Sequence, residues 1–213
     1  MELHTYWRSS AAYRVRIALN LKGLSADPRF VHLRRGEQLT ESYRALNPAA
    51  LVPILVDDEG QVLTQSLAII EYLDEIHPHP PLLPPDPYLR AWVRSVAQAI
   101  ACDIHPLNNL RVLEYLGRRL GQDEAGKSAW YRHWVETGFT ALEVELQRAG
   151  RSGRFVLGDR PTLADACLVP QIHNARRFQV DMDAYPTLRR INGACLDLPA
   201  FAHAAPEAQP DAQ

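Results

Sequence analysis

A chain of 213 residues with 46% hydrophobic content is long enough for one large globular domain or two small ones, each with a real core. The 25 acidic and 23 basic residues leave a formal charge of −2 and are spread along the sequence, so no electrostatic footprint for nucleic acid or an anionic membrane is expected. No charged and apolar leader opens the sequence and no run of about 18 apolar residues occurs, so secretion and membrane spanning are not indicated and a cytoplasmic setting is expected.

Leu3 to Tyr6 alternates like a short strand and leads through a turn at Arg8, Ser9 and Ser10 into a helix ending at Gly23, a C-capping glycine. Ser9 or Ser10 caps this helix, and the N–H groups of its first turn suit an anion such as a thiolate. Val15, Ile17, Ala18 and Leu19 read as its core side, with Arg14, Arg16 and Lys22 outward. Phe30 to Leu33 reads as a second strand preceded by Pro28, and Leu39 to Leu46 holds a helical turn. Val52 to Val56 and Val62 to Thr64 form a hairpin around Asp57 to Gly60, and Ser66 then caps a helix carrying Leu67, Ile69, Ile70 and Leu73.

The proline-rich stretch from Pro78 to Pro87 fits neither helix nor sheet interior and marks a domain boundary. Beyond it the period is helical, over about 88–104, 107–120, 128–148, 162–176 and 187–195, with Thr162 and Asp165 forming a capping box. The stretch from Pro206 onward reads as frayed. The expected layout is α/β plus all-α: an α/β domain over residues 1–81 and an all-helical domain over 82–213. Cys102, Cys167 and Cys195 are odd in number and far apart, and read as reduced core residues rather than a disulfide set, a CxxC pair or a metal site.

Three places in the first domain suit a ligand. The Ser9-Ser10 turn can hold an anion. A proline opening a strand, as in Val52-Pro53, often follows a cis bond and leaves Val52 able to pair with an extended peptide, although an ordinary edge proline fits equally. Gln65-Ser66, at a second helix start, can bind a carboxylate, although a plain cap also explains Ser66.

Further motifs connect these places: Arg14-Val15-Arg16-Ile17-Ala18-Leu19, Ala45-Leu46-Asn47-Pro48, Gln65 to Leu73, Leu82-Leu83-Pro84, Ile104-His105-Pro106-Leu107-Asn108-Asn109 and Arg177-Phe178-Gln179-Val180-Asp181. With them the chain resembles, from about Leu3 to Pro210, a zeta-class glutathione transferase, the group that includes maleylacetoacetate and maleylpyruvate isomerases. The resemblance implies an N-terminal thioredoxin-like domain followed by an all-helical one, a homodimer, and glutathione as cofactor. It implies that Ser9 and Ser10 approach the glutathione sulfur, that Val52 before Pro53 pairs with the cysteinyl backbone, and that Gln65 and Ser66 hold the γ-glutamyl end. Gln38, His105, Asn109 and Arg111 would line the remainder. Relatives often read Ser-Ser-Cys-Ser where this chain has Ala11 and Ala12, so a protein thiol is not expected to be essential.

Arg8, Arg111 and Arg177 are the candidates for a substrate with two carboxylates, because a guanidinium fork matches planar oxygen pairs. The expected reaction is glutathione-dependent cis–trans isomerisation of a maleyl keto acid, with Ser9, Ser10, Arg8 and Arg177 in the catalytic set. The alternatives are a zeta-class transferase that conjugates or dehalogenates α-halo acids, and a non-catalytic glutathione-binding protein.

Overall fold

Strand β1 (Glu2–Thr5) organises the first unit of the chain in a computed structural model that describes residues 1–212. It pairs in parallel with β2 (Asp27–Phe30) and antiparallel with β3 (Ile54–Val56), which returns through a hairpin into β4 (Val62–Thr64), giving the order β2-β1-β3-β4. A parallel pair needs a crossover, and α1 (Ser10–Lys22) supplies it. Short α2 (Glu41–Leu46) precedes β3, and α3 (Ser66–Ile76) follows β4. Strand alternation, with Leu3 opposite Leu55 and His4 opposite Ile54, sends successive side chains to opposite faces. Ile54 belongs to a buried cluster with Tyr6, Val31, Tyr43 and Val52.

Several sequence expectations need correction here. The second strand lies at Asp27–Phe30, with Pro28 inside it rather than before it, and Leu33–Arg35 is already a 3-10 turn. The missing N–H of Pro28 is tolerated because β2 is an edge strand.

Arg14, Arg16 and Lys22 do not face solvent, with exposures of 2%, 7% and 8%. Helix α1 is covered on both sides, by α3 and by the segment from Asp197 onward, which includes α9 (Pro199–Ala202). Tyr13 donates to Phe201 O at 3.2 Å and Asn20 to Ala200 O at 2.9 Å. A helix buried all round has no polar face to spend its cations on, so each finds an internal partner. Lys22 Nζ sits 2.6 Å from Asp74 Oδ1 and donates to the carbonyls of His77 and Pro80.

The stretch from Pro206 is not frayed among its described residues. It forms a 3-10 turn (Pro206–Ala208), and Asp211 Oδ2 accepts from Trp7 N at 3.0 Å. The compact units are therefore Met1–Leu82 together with the chain from Asp197, and Leu83–Leu196, whereas the sequence reading assigned everything after residue 81 to the helical domain.

The long elements of the second unit are helices: α4 (Pro87–Gln98), α5 (Leu110–Leu120), α6 (Glu124–Ala149), α7 (Leu163–Arg177) and α8 (Pro186–Leu196). Asp86 caps α4 by accepting from Leu89 N at 2.8 Å, with Pro87 in the first helical position. The expected helix over 88–104 changes at Ala99 into a π-helical turn (Ala99–Ile104), followed by a 3-10 turn (His105–Asn108). Gly138 on α6 permits this, because a Cβ there would lie 2.3 Å from the Ile104 side chain.

The capping box of α7 is present: Thr162 N and Oγ1 both donate to Asp165 Oδ2 at 2.8 Å, and Val156 N donates to Oδ1 at 2.8 Å. Complete burial outweighs these three donors and pushes the Asp165 carboxyl up to about 6. The thiol of Cys195, 3.8 Å from Oδ1, is also pushed up by burial. All three cysteines are free, but only Cys167 and Cys195 are buried; Cys102 is exposed on the π-helical turn, against the expectation of a core position. Among the described residues no helix is long and apolar enough to cross a membrane.

Candidate functional site

Strands β1 and β4 run in the same direction, because each is antiparallel to β3, and both feed directly into helices. The N-termini of α1 and α3 consequently emerge at one edge of the sheet, where β3, running the other way, begins. The Ser9-Ser10 turn, Val52-Pro53 and Gln65-Ser66 are thus gathered by topology alone.

At α1, a turn is closed by Ser9 N donating to Tyr6 O at 2.9 Å. Ser9 is the N-cap: its Oγ accepts from Ala12 N at 3.2 Å and its carbonyl from Tyr13 N at 2.8 Å. Since the cap uses Oγ as an acceptor, the hydroxyl proton stays available to a ligand. Ser9 is half-buried, while Ser10, the first residue of the helix, is buried. Arg8 stacks its guanidinium over the Trp7 ring at 5.2 Å.

The bond between Val52 and Pro53 is cis, and both residues are buried. Tyr43 Oη and Asn47 Nδ2 both donate to Leu51 O at 2.8 Å, which shapes the chain just before it.

At α3 the N-cap is Gln65, not Ser66 as the sequence suggested. Gln65 is exposed, holds φ 71° and ψ 115°, and makes no side-chain cap. A non-glycine residue in this conformation is strained, which is characteristic of ligand-binding positions. Ser66 stands in the first turn with 6% exposure, and its Oγ accepts from Arg14 Nη1 at 3.2 Å. A buried cation therefore reinforces the positive end of a helix whose first-turn N–H groups no side chain caps. Gln38, on the 3-10 turn Glu37–Leu39, keeps a buried Oε1 without a hydrogen-bond partner among the described residues.

In the second unit, His105 opens the 3-10 turn that follows the π-helical turn. Asn109 caps α5, its Oδ1 accepting from Arg111 N at 3.1 Å, and Arg111 is exposed. Arg177, exposed in the last turn of α7, donates to Asn174 Oδ1 at 3.2 Å and lies 5.9 Å from the centre of the Phe178 ring. Phe178 in turn stacks on Tyr131 with ring centres 3.5 Å apart. The structure thus groups Ser9, Ser10, Val52, Pro53, Gln65 and Ser66 at one edge in the first unit, while His105, Asn109, Arg111 and Arg177 belong to the second.

Sequence reasoning missed Arg14 as the support of Ser66. The available signal was Arg14 itself, placed among residues at helical spacing that are all buried, where an isolated cation demands a partner.

These features fit glutathione. An extended tripeptide needs a strand-like backbone partner, as at Val52, an anchor for its carboxylate, as at α3, and a hydroxyl and helix terminus for its sulfur, as at α1.

Comparison with known proteins agrees. The glutathione S-transferase N-terminal domain family matches residues 8–76 and the C-terminal domain family residues 128–206. A probable maleylacetoacetate isomerase of Vibrio cholerae is 53% identical over 99% of this chain and 97% of its own. A maleylpyruvate isomerase of Ralstonia is 51% identical, covering 99% of each chain. Among solved structures, a maleylacetoacetate isomerase from Methylobacterium extorquens with bound malonate and glutathione superposes with a TM-score of 0.97 at 42% identity, over 100% of both chains. Another from Anaeromyxobacter dehalogenans, with bound dicarboxyethyl glutathione and citrate, gives 0.89 at 44% identity over 100% of this chain and 97% of that one. The chain belongs to the glutathione S-transferase family, within the zeta-class group of maleylacetoacetate and maleylpyruvate isomerases.

Proposed function

We propose that this protein is a glutathione-dependent cis–trans isomerase that converts a maleyl keto acid, maleylpyruvate or maleylacetoacetate, into its fumaryl isomer. The observation that carries the reading is the convergence of the Ser9 turn, Val52 and the Arg14-backed start of α3 at one sheet edge. The dicarboxyethyl glutathione in the Anaeromyxobacter relative adds to it, because such a thioether is what a thiol gives on adding across a cis-enediacid double bond.

Bound glutathione supplies a thiolate that adds to the cis double bond, allows rotation about the resulting single bond, and leaves unchanged. In this reading the Ser9 hydroxyl donates to the sulfur and, with the N-terminus of α1, favours the anion of a thiol whose free pKa is about 8.5. Ser10, more deeply buried, shapes the same turn. Val52 N–H and C=O pair with the cysteinyl backbone, Gln65 and the first turn of α3 hold the γ-glutamyl carboxylate, and Gln38 contacts the tripeptide. His105, Asn109 and Arg111 complete the ligand contacts assigned to the second unit. Arg8, Arg111 and Arg177 receive substrate carboxylates, and Arg8 or Arg177 stabilises the negative charge that moves onto the conjugated ketone during addition. The protein acts as a homodimer in the cytoplasm, where free cysteines such as its three persist.

The test is mass balance. The cis keto acid is incubated with enzyme and far less than one equivalent of glutathione, and both isomers and the free thiol are followed by NMR. Complete conversion with full recovery of thiol is expected. Conversion that is equally fast without glutathione, or thioether accumulating in step with substrate loss, overturns the reading.

A further inference from the structure

Beyond β1 the chain leaves the sheet, so the backbone groups of Tyr6 and Trp7 need partners outside its ladder. Two charged side chains supply them. Asp211 Oδ2 accepts from Trp7 N at 3.0 Å. Arg16 donates through Nη2 to Trp7 O at 3.1 Å, and through Nη1 to Thr5 Oγ1 at 3.1 Å and Tyr6 O at 3.5 Å, while its Nε holds Ala204 O at 3.0 Å. Tyr6 O is the same carbonyl that Ser9 N closes onto. The segment leading into Arg8 and Ser9 is thus gripped at the Trp7 N–H by one carboxylate and at the Tyr6 and Trp7 carbonyls by one guanidinium.

The two grips depend on each other. Burial pushes the Arg16 guanidinium down to about 10, which leaves it charged at neutral pH, and the negative charge of Asp211 opposes that fall. Arg16 also ties Ala204, which lies in the same segment as Asp211. Nothing in the reaction itself asks for Asp211, which is far along the chain from every residue assigned to the ligand. Its place on the turn is its reason for being there.

We infer that Asp211 is a positioning residue: by accepting from Trp7 N–H it fixes the Tyr6–Ser9 turn, and so the place of the Ser9 hydroxyl opposite the glutathione sulfur. The inference rests on the assignment of Ser9 to the sulfur made above. Small displacements of a reacting group are enough to cost rate, so an effect on turnover is expected even where the fold survives.

Three variants test this: Asp211→Ala removes the acceptor, Asp211→Asn keeps an acceptor without the charge, and Asp211→Glu keeps the charge but shifts the acceptor by about 1.5 Å. With glutathione saturating, Asp211→Ala is expected to lower kcat about tenfold while KM for the keto acid changes less than about twofold. The thiol pKa of bound glutathione, read from thiolate absorbance, should rise in the same variant, and Asp211→Asn should restore both. Wild-type kcat and thiol pKa in Asp211→Ala, with only a lower melting temperature, overturn the inference. So does a loss in Asp211→Asn equal to that in Asp211→Ala. Should Asp211→Ala fail to fold, wild-type kcat and thiol pKa in Asp211→Glu overturn it instead. The thiol readout separates the two readings: an inactive wild type whose bound thiol still responds to Asp211 removes the isomerase assignment and leaves the positioning role standing.

Discussion

Arg14 Nη1 lies 3.2 Å from Ser66 Oγ, which puts a cation with 2% exposure directly behind the start of α3. Arg14→Leu keeps the bulk of the side chain and removes this charge. Hydrogen bonds to charged groups are worth about 1.5–3 kcal/mol, so glutathione affinity should fall by about tenfold or more, measured by titration calorimetry. Undiminished affinity in a folded Arg14→Leu protein would show that α3 needs no support from α1.

Ser9 has two separable duties. As the N-cap of α1 it contributes about 1 kcal/mol, so Ser9→Ala should lower the melting temperature by about 2–4 °C. As the donor to the sulfur it should matter more for turnover, with kcat falling about a hundredfold at saturating glutathione. Ser9→Asn retains capping ability and should recover the melting temperature without the rate. Recovery of both would assign the hydroxyl a purely structural task.

The Asp165 carboxyl titrates at about 6 in the folded protein, above its ordinary value of 3.8. A raised carboxyl pKa means the folded state binds the proton more tightly. The stabilisation is therefore fully present below about pH 4 and is lost as pH rises through about 6, by at most about 3 kcal/mol. Unfolding free energies of wild type and Asp165→Asn, compared across pH 4–7, should converge or cross over that window and run parallel above it. Parallel curves throughout would mean that the three donors compensate the burial fully.

Lys22 is buried against Asp74 and two carbonyls. Lys22→Met removes the cation paired with the Asp74 carboxylate, which keeps the hydrogen bond from Leu82 N at 2.8 Å. The expected cost is about 3 kcal/mol, read as a drop in denaturant midpoint without change in the slope of the transition. A loss below about 1 kcal/mol would place this pair with ordinary surface ion pairs.

β1, the hairpin, the cap of α1 by Ser9 and the capping box at Thr162 follow from local rules, and were legible for that reason. Local rules failed where distant chain closes over an element. Arg14, Arg16 and Lys22 look like a solvent face only if nothing covers α1; α3 and the chain just after it take up Arg14 and Lys22, and the segment from Asp197, whose alanine- and proline-rich sequence carries no period that announces docking, takes up Arg16. The shift of β2 to include Pro28 has the same origin, since edge position depends on strand order, which one stretch of sequence does not encode. The π-helical turn at Ala99–Ile104 preserves the hydrophobic period closely enough to read as continuous helix.

Gln65 is held at φ 71°, a conformation that glycine adopts without penalty and glutamine does not. An enzyme improvement programme that ranked variants by heat resistance alone would favour glycine at this position, and would discard with the strain the amide side chain assigned to the tripeptide. The two selection criteria pull this residue in opposite directions, which makes it a sensitive place to read whether such a library has been screened for endurance or for catalysis.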